Sequence, residues 1–75
     1  MSRLILINAT DMEKILFRLG FDRLRKKGSH AFYNHPDGRT TTIPFHGNKD
    51  IPRPLLRDIL REININVDDY NELRK

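Results

Sequence analysis

Apolar residues recur at helical spacing shortly after the N-terminus. From residue 12 onward they occupy positions i, i+3, i+4 and i+7, which together form one buried face of a helix. These residues are Met12, Ile15, Leu16 and Leu19. Thr10 and Glu13 have the spacing of a capping box, and Gly20 supplies a residue type that commonly ends a helix. The pattern therefore predicts a helix over residues 11–19 with Thr10 as its N-cap.

A second amphipathic pattern occupies residues 54–63. Its apolar face consists of Leu55, Leu56, Ile59, Leu60 and Ile63. Arg53 precedes a proline and is therefore biased away from helical angles, so we expect Pro54 at the first helical position. Asn66 is the predicted cap of a last short helix that ends near Arg74.

Between these helices the chain has strand patterns that are separated by glycine and proline. Residues 21–27 combine two apolar with five charged residues, which suits a strand at the border of a sheet. Gly28 ends this run, and residues 29–35 form a second strand whose side chains alternate between two faces. Pro36-Asp37-Gly38 predicts a turn, after which residues 39–43 return as a threonine-rich third strand.

The predicted order of elements is α-β-β-β-α, which belongs to the α+β class. Helices are expected on one face of a three-stranded antiparallel sheet, as in the double-stranded RNA-binding domain. That arrangement specifies no activity by itself. The 75 residues are expected to form a single domain, 1–75, with a small core.

Composition and charge narrow the class of protein further. Fourteen Lys and Arg residues against ten Asp and Glu residues give a net charge of +4, which matters most where the cations cluster. Cysteine is absent, so disulfides and thiolate metal sites are excluded and a reducing compartment, the cytoplasm, is expected. The apolar run Leu4–Ile7 is too short for a signal peptide, although it could form an extended arm over the core, and no run is long enough to span a membrane.

The candidate chemistry centres on His30. Cleavage of RNA without a metal needs a group that moves a proton and cations that stabilise charge at phosphorus, and histidine can move protons near neutral pH. Gly28 lets a phosphate approach the backbone closely, Ser29 offers a hydroxyl, and Lys26 and Lys27 are candidate phosphate ligands. The alternative is that His30 is an ordinary exposed strand residue beside a solvated lysine edge.

A second group of cations recurs near the start of the second long helix. Its members are Lys49, Arg53, Arg57 and Arg61, and they could track a phosphate backbone. The alternative is a solvated helix face that pairs locally with Asp58 and Glu62. Phe45 could stack on an unpaired base or pack into the core.

Three histidines raise the question of a metal site. His30, His35 and His46 are separated by intervals of five and eleven residues, which match no familiar zinc motif. No carboxylate clearly joins them. We therefore expect no metal and no other cofactor, with His35 at the entry to a turn.

Several motifs of this chain together resemble the HicA-type mRNA interferase toxins over about residues 10–70. They are Gly28-Ser29-His30, His35-Pro36-Asp37-Gly38-Arg39, Ile43-Pro44, His46-Gly47-Asn48-Lys49-Asp50-Ile51, Leu56 and Ile59-Leu60. The resemblance implies a ribosome-independent endoribonuclease that cuts mRNA and stops growth, and a HicB-type antitoxin that covers the active site. It also implies that His30 is the catalytic histidine, with Gly28 and Ser29 as its motif neighbours.

The chain departs from the family pattern at two places. Phe45 stands where many members have a basic residue, and Pro54-Leu55 stands where many have Gly-Thr. Two other hypotheses remain open at this point. One is a noncatalytic RNA-binding module with the same fold, and the other is an inactive relative that mainly binds a protein partner.

Overall fold

Three antiparallel strands follow one helix and precede two others. The computed structural model describes residues 3–75. Its elements are α1 (Ala9–Arg18), β1 (Asp22–Lys27), β2 (His30–Asn34), β3 (Thr40–Pro44), α2 (Arg53–Glu62) and α3 (Val67–Leu73). The strands form one sheet in the order β1-β2-β3, with the helices packed against it. This confirms the predicted α+β class, its double-stranded RNA-binding-domain-like arrangement and the short last helix.

The start of α1 differs from its prediction. The N-cap is Asn8, whose side-chain Oδ1 accepts a hydrogen bond from the backbone N–H of Asp11 at 2.9 Å. Thr10 lies inside the first turn of the helix, so its predicted role as N-cap is wrong. The backbone of Asn8 is extended and forms a bridge with Asp50. That tertiary contact holds Asn8 in the extended conformation that an N-cap requires.

The end of α1 follows the prediction. Gly20 has a φ of +95°, and the N–H of Phe21 donates to the carbonyl of Leu16 at 2.9 Å, which is the bond of a Schellman motif. A Cβ atom on Gly20 would lie 3.2 Å from Nε2 of His35. Glycine is therefore required here both for the positive φ and for the close approach of the His35 ring.

Burial alternates along the central strand β2, and along the edge strand β3 as far as Ile43. Ala31 and Tyr33 of β2 and Thr41 and Ile43 of β3 are buried beneath the helices. All six residues of β1 are exposed, as expected for a charged strand at the border of the sheet. The core also contains residues from both long helices, from the C-cap of α2 and from α3: Met12, Ile15, Leu16, Leu56, Ile59, Leu60, Ile63 and Tyr70.

The helix α2 begins one residue earlier than predicted. Pro52 is its N-cap, Arg53 is the first helical residue and Pro54 is the second. The prediction that Arg53 would stay outside the helix is therefore wrong. The side-chain Nη1 of Arg53 donates a hydrogen bond to the carbonyl of Leu4 at 2.7 Å. This contact ties the first residue of α2 to the segment that precedes α1.

The residues before α1 run as an extended arm across the core. Leu4 is buried, and the N–H of Ile51 donates to the carbonyl of Ile7 at 2.8 Å. The hydroxyl of Tyr70 donates to the carbonyl of Ile5. The arm therefore ties α3 and the start of α2 to α1. Within residues 3–75, the helices are too short and too polar for any of them to cross a membrane.

Candidate active site

A two-residue turn presents His30 at the end of the sheet. Lys27 and His30 are paired across β1 and β2, and Gly28 and Ser29 form the turn between them. Gly28 has a φ of +59°, and a Cβ atom there would meet no heavy atom within 4 Å. A positive φ at the first turn residue is what the two-residue hairpin turns of types I′ and II′ require. Glycine at position 28 thus allows the backbone conformation of the turn, and the space beside it is open.

Cross-strand partners in an antiparallel sheet lie on the same face. Because Ala31 and Tyr33 point toward the helices, the residues that alternate with them point away from the helices. We call this surface the open face. Its members are Asp22, Arg25 and Lys27 of β1, His30, Phe32 and Asn34 of β2, and Thr40, Thr42 and Pro44 of β3. His30 and Phe32 share a face, as the alternation of β2 predicts.

A β-bulge in β1 determines which of the two lysines lies on the same face of the sheet as His30. Arg23 pairs with Tyr33 and Arg25 pairs with Phe32, so Leu24 is the additional residue of β1. Beyond the bulge Lys27 shares the open face with His30. Lys26 pairs with Ala31 and therefore points to the helix side of the sheet. The two candidate lysines are thus separated by the sheet.

The imidazole of His30 is available for chemistry. The residue is exposed, and none of the side-chain hydrogen bonds formed within residues 3–75 involves its ring. The ring of His35 is occupied instead. Its Nε2 lies 3.0 Å from the carbonyl of Leu19, and its Nδ1 accepts from the N–H of Asp37 at 3.1 Å. His35 therefore fixes the predicted turn to the end of α1.

Lys26 and Phe45 form a separate contact. The Nζ of Lys26 lies 4.6 Å from the centroid of the Phe45 ring, and the ring is partly buried against the core. The N–H of Phe45 donates to the carbonyl of Ser29 at 2.6 Å, so this residue also anchors the turn before His30. The structure thus places Phe45 against the core, which was one of its two expected positions.

The cations of α2 have partners of different kinds. Arg53 binds the Leu4 carbonyl, and Arg61 forms an ion pair with Asp58 at 3.2 Å. Arg57 forms no ion pair within residues 3–75 and is exposed. Glu62 accepts from the hydroxyl of Thr41 rather than pairing with an arginine. Lys49 is exposed in the turn that begins at His46.

One set of polar contacts beside the sheet, formed by Tyr33, Glu13 and Arg23, could not be predicted from the sequence pattern. The hydroxyl of Tyr33 donates to Glu13, and the guanidinium of Arg23 lies 3.3 Å from the same carboxylate. Burial, followed by the Glu13 hydrogen bond, raises the pKa of Tyr33 far above its ordinary value. The Tyr33 hydroxyl therefore stays a hydrogen-bond donor even in mildly alkaline solution, and it connects α1 to β2. The ion-pair geometry depends on the register of β1, which sequence periodicity does not give.

No group of three His, Asp or Glu side chains that could hold a metal ion occurs among residues 3–75. Comparison with known protein families gives one clear finding. A family model described as HicA toxin of bacterial toxin-antitoxin matches residues 9–65, which is most of the chain. No curated protein matches the sequence.

Proposed function

The chain belongs to the HicA family of bacterial toxin-antitoxin toxins, and from this membership we propose that it is an endoribonuclease that cleaves mRNA without a metal ion. The proposed catalytic unit is a single toxin domain over residues 1–75, acting in the cytoplasm, where it would stop growth by removing messages. The observation that carries the proposal is the exposed imidazole of His30, which stands opposite Lys27 with no hydrogen bond to residues 3–75.

The reaction requires two proton transfers. The 2′-hydroxyl loses a proton as its oxygen bonds to phosphorus, and the bond from phosphorus to the 5′-oxygen breaks. The 5′-oxygen then takes up a proton, leaving a 2′,3′-cyclic phosphate and a 5′-hydroxyl. His30 is proposed to perform one of these transfers as a general base or a general acid. A base must be neutral and an acid must be protonated, so the direction in which kcat/KM changes with pH distinguishes the two roles.

The surrounding groups are proposed to hold the phosphate. Lys27 lies on the same face as His30 and can stabilise negative charge at phosphorus. Gly28 leaves open space beside the backbone, and Ser29 offers a hydroxyl in the turn. Lys26, Lys49, Arg53 and Arg57 are proposed as outer phosphate contacts. Among these four, Arg53 also holds the N-terminal arm and Lys26 also covers Phe45, so their substitution has structural effects as well.

The decisive experiment is the incubation of purified protein with mRNA in EDTA, beside the His30→Ala variant. His46→Ala is the matched control because His46 is also exposed and lies outside the sheet. We expect cleavage by the parent and by His46→Ala, and loss of cleavage in His30→Ala with fold and RNA affinity retained. Equal cleavage by the parent and His30→Ala would refute the role of His30. Tight, salt-sensitive binding without any cleavage would favour a noncatalytic RNA-binding module.

Membership of a toxin-antitoxin family implies an antitoxin. We propose that this partner is a HicB-type protein that covers His30. Diethylpyrocarbonate modifies accessible imidazoles and can report the contact. In the free toxin we expect rapid modification of His30 and slow modification of His35, whose ring nitrogens are engaged. Addition of the antitoxin is expected to stop cleavage and to protect His30. Inhibition with unchanged modification of His30 would place the antitoxin elsewhere.

A further inference from the structure

The open face carries an aromatic ring next to His30. Phe32 lies two residues along β2 on the same face, at a separation of about 7 Å. Its ring is partly exposed, and the guanidinium of Arg25 lies over it at 4.8 Å from the centroid. The separation is close to the length of one extended nucleotide. A base adjacent to a phosphodiester at His30 would therefore reach the level of this ring.

The charges of the open face match a nucleic acid. Arg25 and Lys27 flank the row of Phe32 and His30, and neither cation forms an ion pair within residues 3–75. Asp22, the one acidic residue in the three described strands, pairs with Asn34 at the far end of the sheet. Glu62 of α2 lines the pocket that contains Phe32, and its carboxylate accepts from the hydroxyl of Thr41. A polyanion that runs from His30 toward Phe32 thus meets the two strand cations Arg25 and Lys27 and no carboxylate of the strands along its path.

We propose that the open face is a binding platform for single-stranded RNA, in which one base stacks on the Phe32–Arg25 pair beside the phosphodiester held at His30. This proposal rests on the proposed nuclease function and names the form of its substrate. The flat guanidinium of Arg25 can stack on a base or give up its position on the ring to that base while it contacts a phosphate. Phe32 is accordingly a positioning residue for the substrate.

The stacking contact selects unpaired RNA. Bases in a duplex are already stacked on their neighbours and paired at their edges, so their faces are not available to a side chain. Stacking on an aromatic ring accepts any base, because every base has a π face, and its loss in other single-strand binders weakens binding by about 5- to 150-fold per base. We therefore expect the platform to position the strand with weak preference for the base itself.

The chain contains no tryptophan, so Phe32→Trp introduces a single fluorescent reporter at the proposed stacking position. The probe is a short 2′-deoxy oligonucleotide, which lacks the attacking hydroxyl and cannot be cleaved by the proposed reaction. We expect the single strand to quench the indole fluorescence of this variant and the same sequence as a duplex to quench it little. Phe17→Trp is the matched control, because Phe17 is 50% exposed on α1, away from the open face. Equal quenching of both reporters, or no quenching at position 32, would overturn the platform.

Substitution by leucine removes the π face and keeps an apolar side chain. Phe32→Leu is expected to weaken single-strand affinity by about tenfold or more, whereas Phe17→Leu leaves it unchanged. Phe32→Trp is expected to retain the affinity of the parent. Oligonucleotide binding by Phe32→Leu equal to the parent, with weakened antitoxin binding, would identify the open face as a protein interface and overturn the proposal.

The binding platform and the nuclease activity are separate hypotheses, and the experiments can refute either one without the other. If the parent cleaves mRNA while the reporter at position 32 is not quenched and Phe32→Leu cleaves normally, the platform is refuted and the nuclease stands. If that reporter is quenched and Phe32→Leu binds weakly while no cleavage occurs, the platform is supported and the nuclease is refuted. Circular dichroism of each variant verifies that it is folded before either result is used.

Discussion

Lys27 and His30 face each other across the two-residue turn that joins β1 and β2. Directly paired residues of an antiparallel sheet have Cβ atoms about 4.5–5.5 Å apart, so the ammonium group of Lys27 can reach a phosphate that contacts His30. Lys26, its neighbour in sequence, points to the other side and lies over the ring of Phe45. The two lysines should therefore differ sharply in function.

We predict that Lys27→Gln lowers kcat/KM for RNA cleavage by about 10- to 100-fold, because it removes the charge that the proposed mechanism places at the reacting phosphate. Lys26→Gln should lower kcat/KM by only about 2- to 3-fold, since an exposed cation off the reacting face adds little beyond screened attraction. Initial rates at a fixed ionic strength check both values, with thermal unfolding as the control for folding. Equal losses in the two variants would contradict the assignment of Lys27 to the reacting face.

A second prediction concerns the cap of α1. Asn8→Ala should lower the free energy of unfolding by about 1 kcal/mol, because it removes the acceptor for the Asp11 N–H. Thr10→Ala should change the free energy of unfolding by no more than about 0.5 kcal/mol, since alanine is favoured inside a helix. Urea unfolding of the two variants and the parent gives the comparison. A larger loss for Thr10→Ala would restore the capping box that the sequence suggests.

The arrangement of elements could be predicted from the sequence because it depends on local signals. The periodicity of α1 and α2, the turn at residues 36–38 and the alternation of β2 each lie within a few neighbouring residues. The shared face of His30 and Phe32 follows from that alternation. Local patterns were therefore sufficient for the fold and for the position of His30 at a strand end.

The details that the sequence pattern could not give depend on contacts between distant residues. Asn8 and Thr10 each have a side chain that can cap a helix, and each is followed by an acidic residue three positions later. In the folded protein Asn8 is the N-cap, and its backbone is held by the bridge to Asp50. The lysine beside His30 is a second case. If β1 alternated strictly from Arg23, without an inserted residue, Lys26 would lie on the same face as His30. The bulge at Leu24 changes which lysine lies beside His30, and no composition signal marks it. Packing of the N-terminal arm determines the cap of α1, and the pairing of β1 with β2 determines the face on which each lysine lies.

A third prediction compares two glycines with positive φ. Gly20→Ala should be more destabilising than Gly28→Ala, because the new Cβ at position 20 lies 3.2 Å from His35 whereas position 28 has no atom within 4 Å. We expect about 2–3 kcal/mol for Gly20→Ala and about 1–2 kcal/mol for Gly28→Ala, the usual range for a strained backbone. Gly28→Asn should recover part of the loss, since asparagine tolerates a positive φ. Thermal unfolding at one pH measures all three.

The last prediction concerns alkaline unfolding. Burial is the main reason that the pKa of Tyr70 rises from 10.0 to about 12, and the ring is fully buried with its hydroxyl donating to Ile5. The ionised phenol is therefore favoured in the unfolded chain. Its contribution to stability is fully present below pH 10.0, declines as pH rises further, and is lost as pH passes about 12.

Tyr70→Phe tests this titration directly. The variant should be less stable by about 1 kcal/mol at neutral pH, because it loses the hydrogen bond to the arm. Between about pH 10 and pH 12 its free energy of unfolding should fall less steeply than that of the parent, since one of the two buried phenols is gone. Tyr33→Phe should reduce the slope in the same direction, because the pKa of Tyr33 is also raised. Urea unfolding at a series of pH values measures the slopes, and parallel curves for the parent and both variants would show that neither buried phenol controls alkaline unfolding.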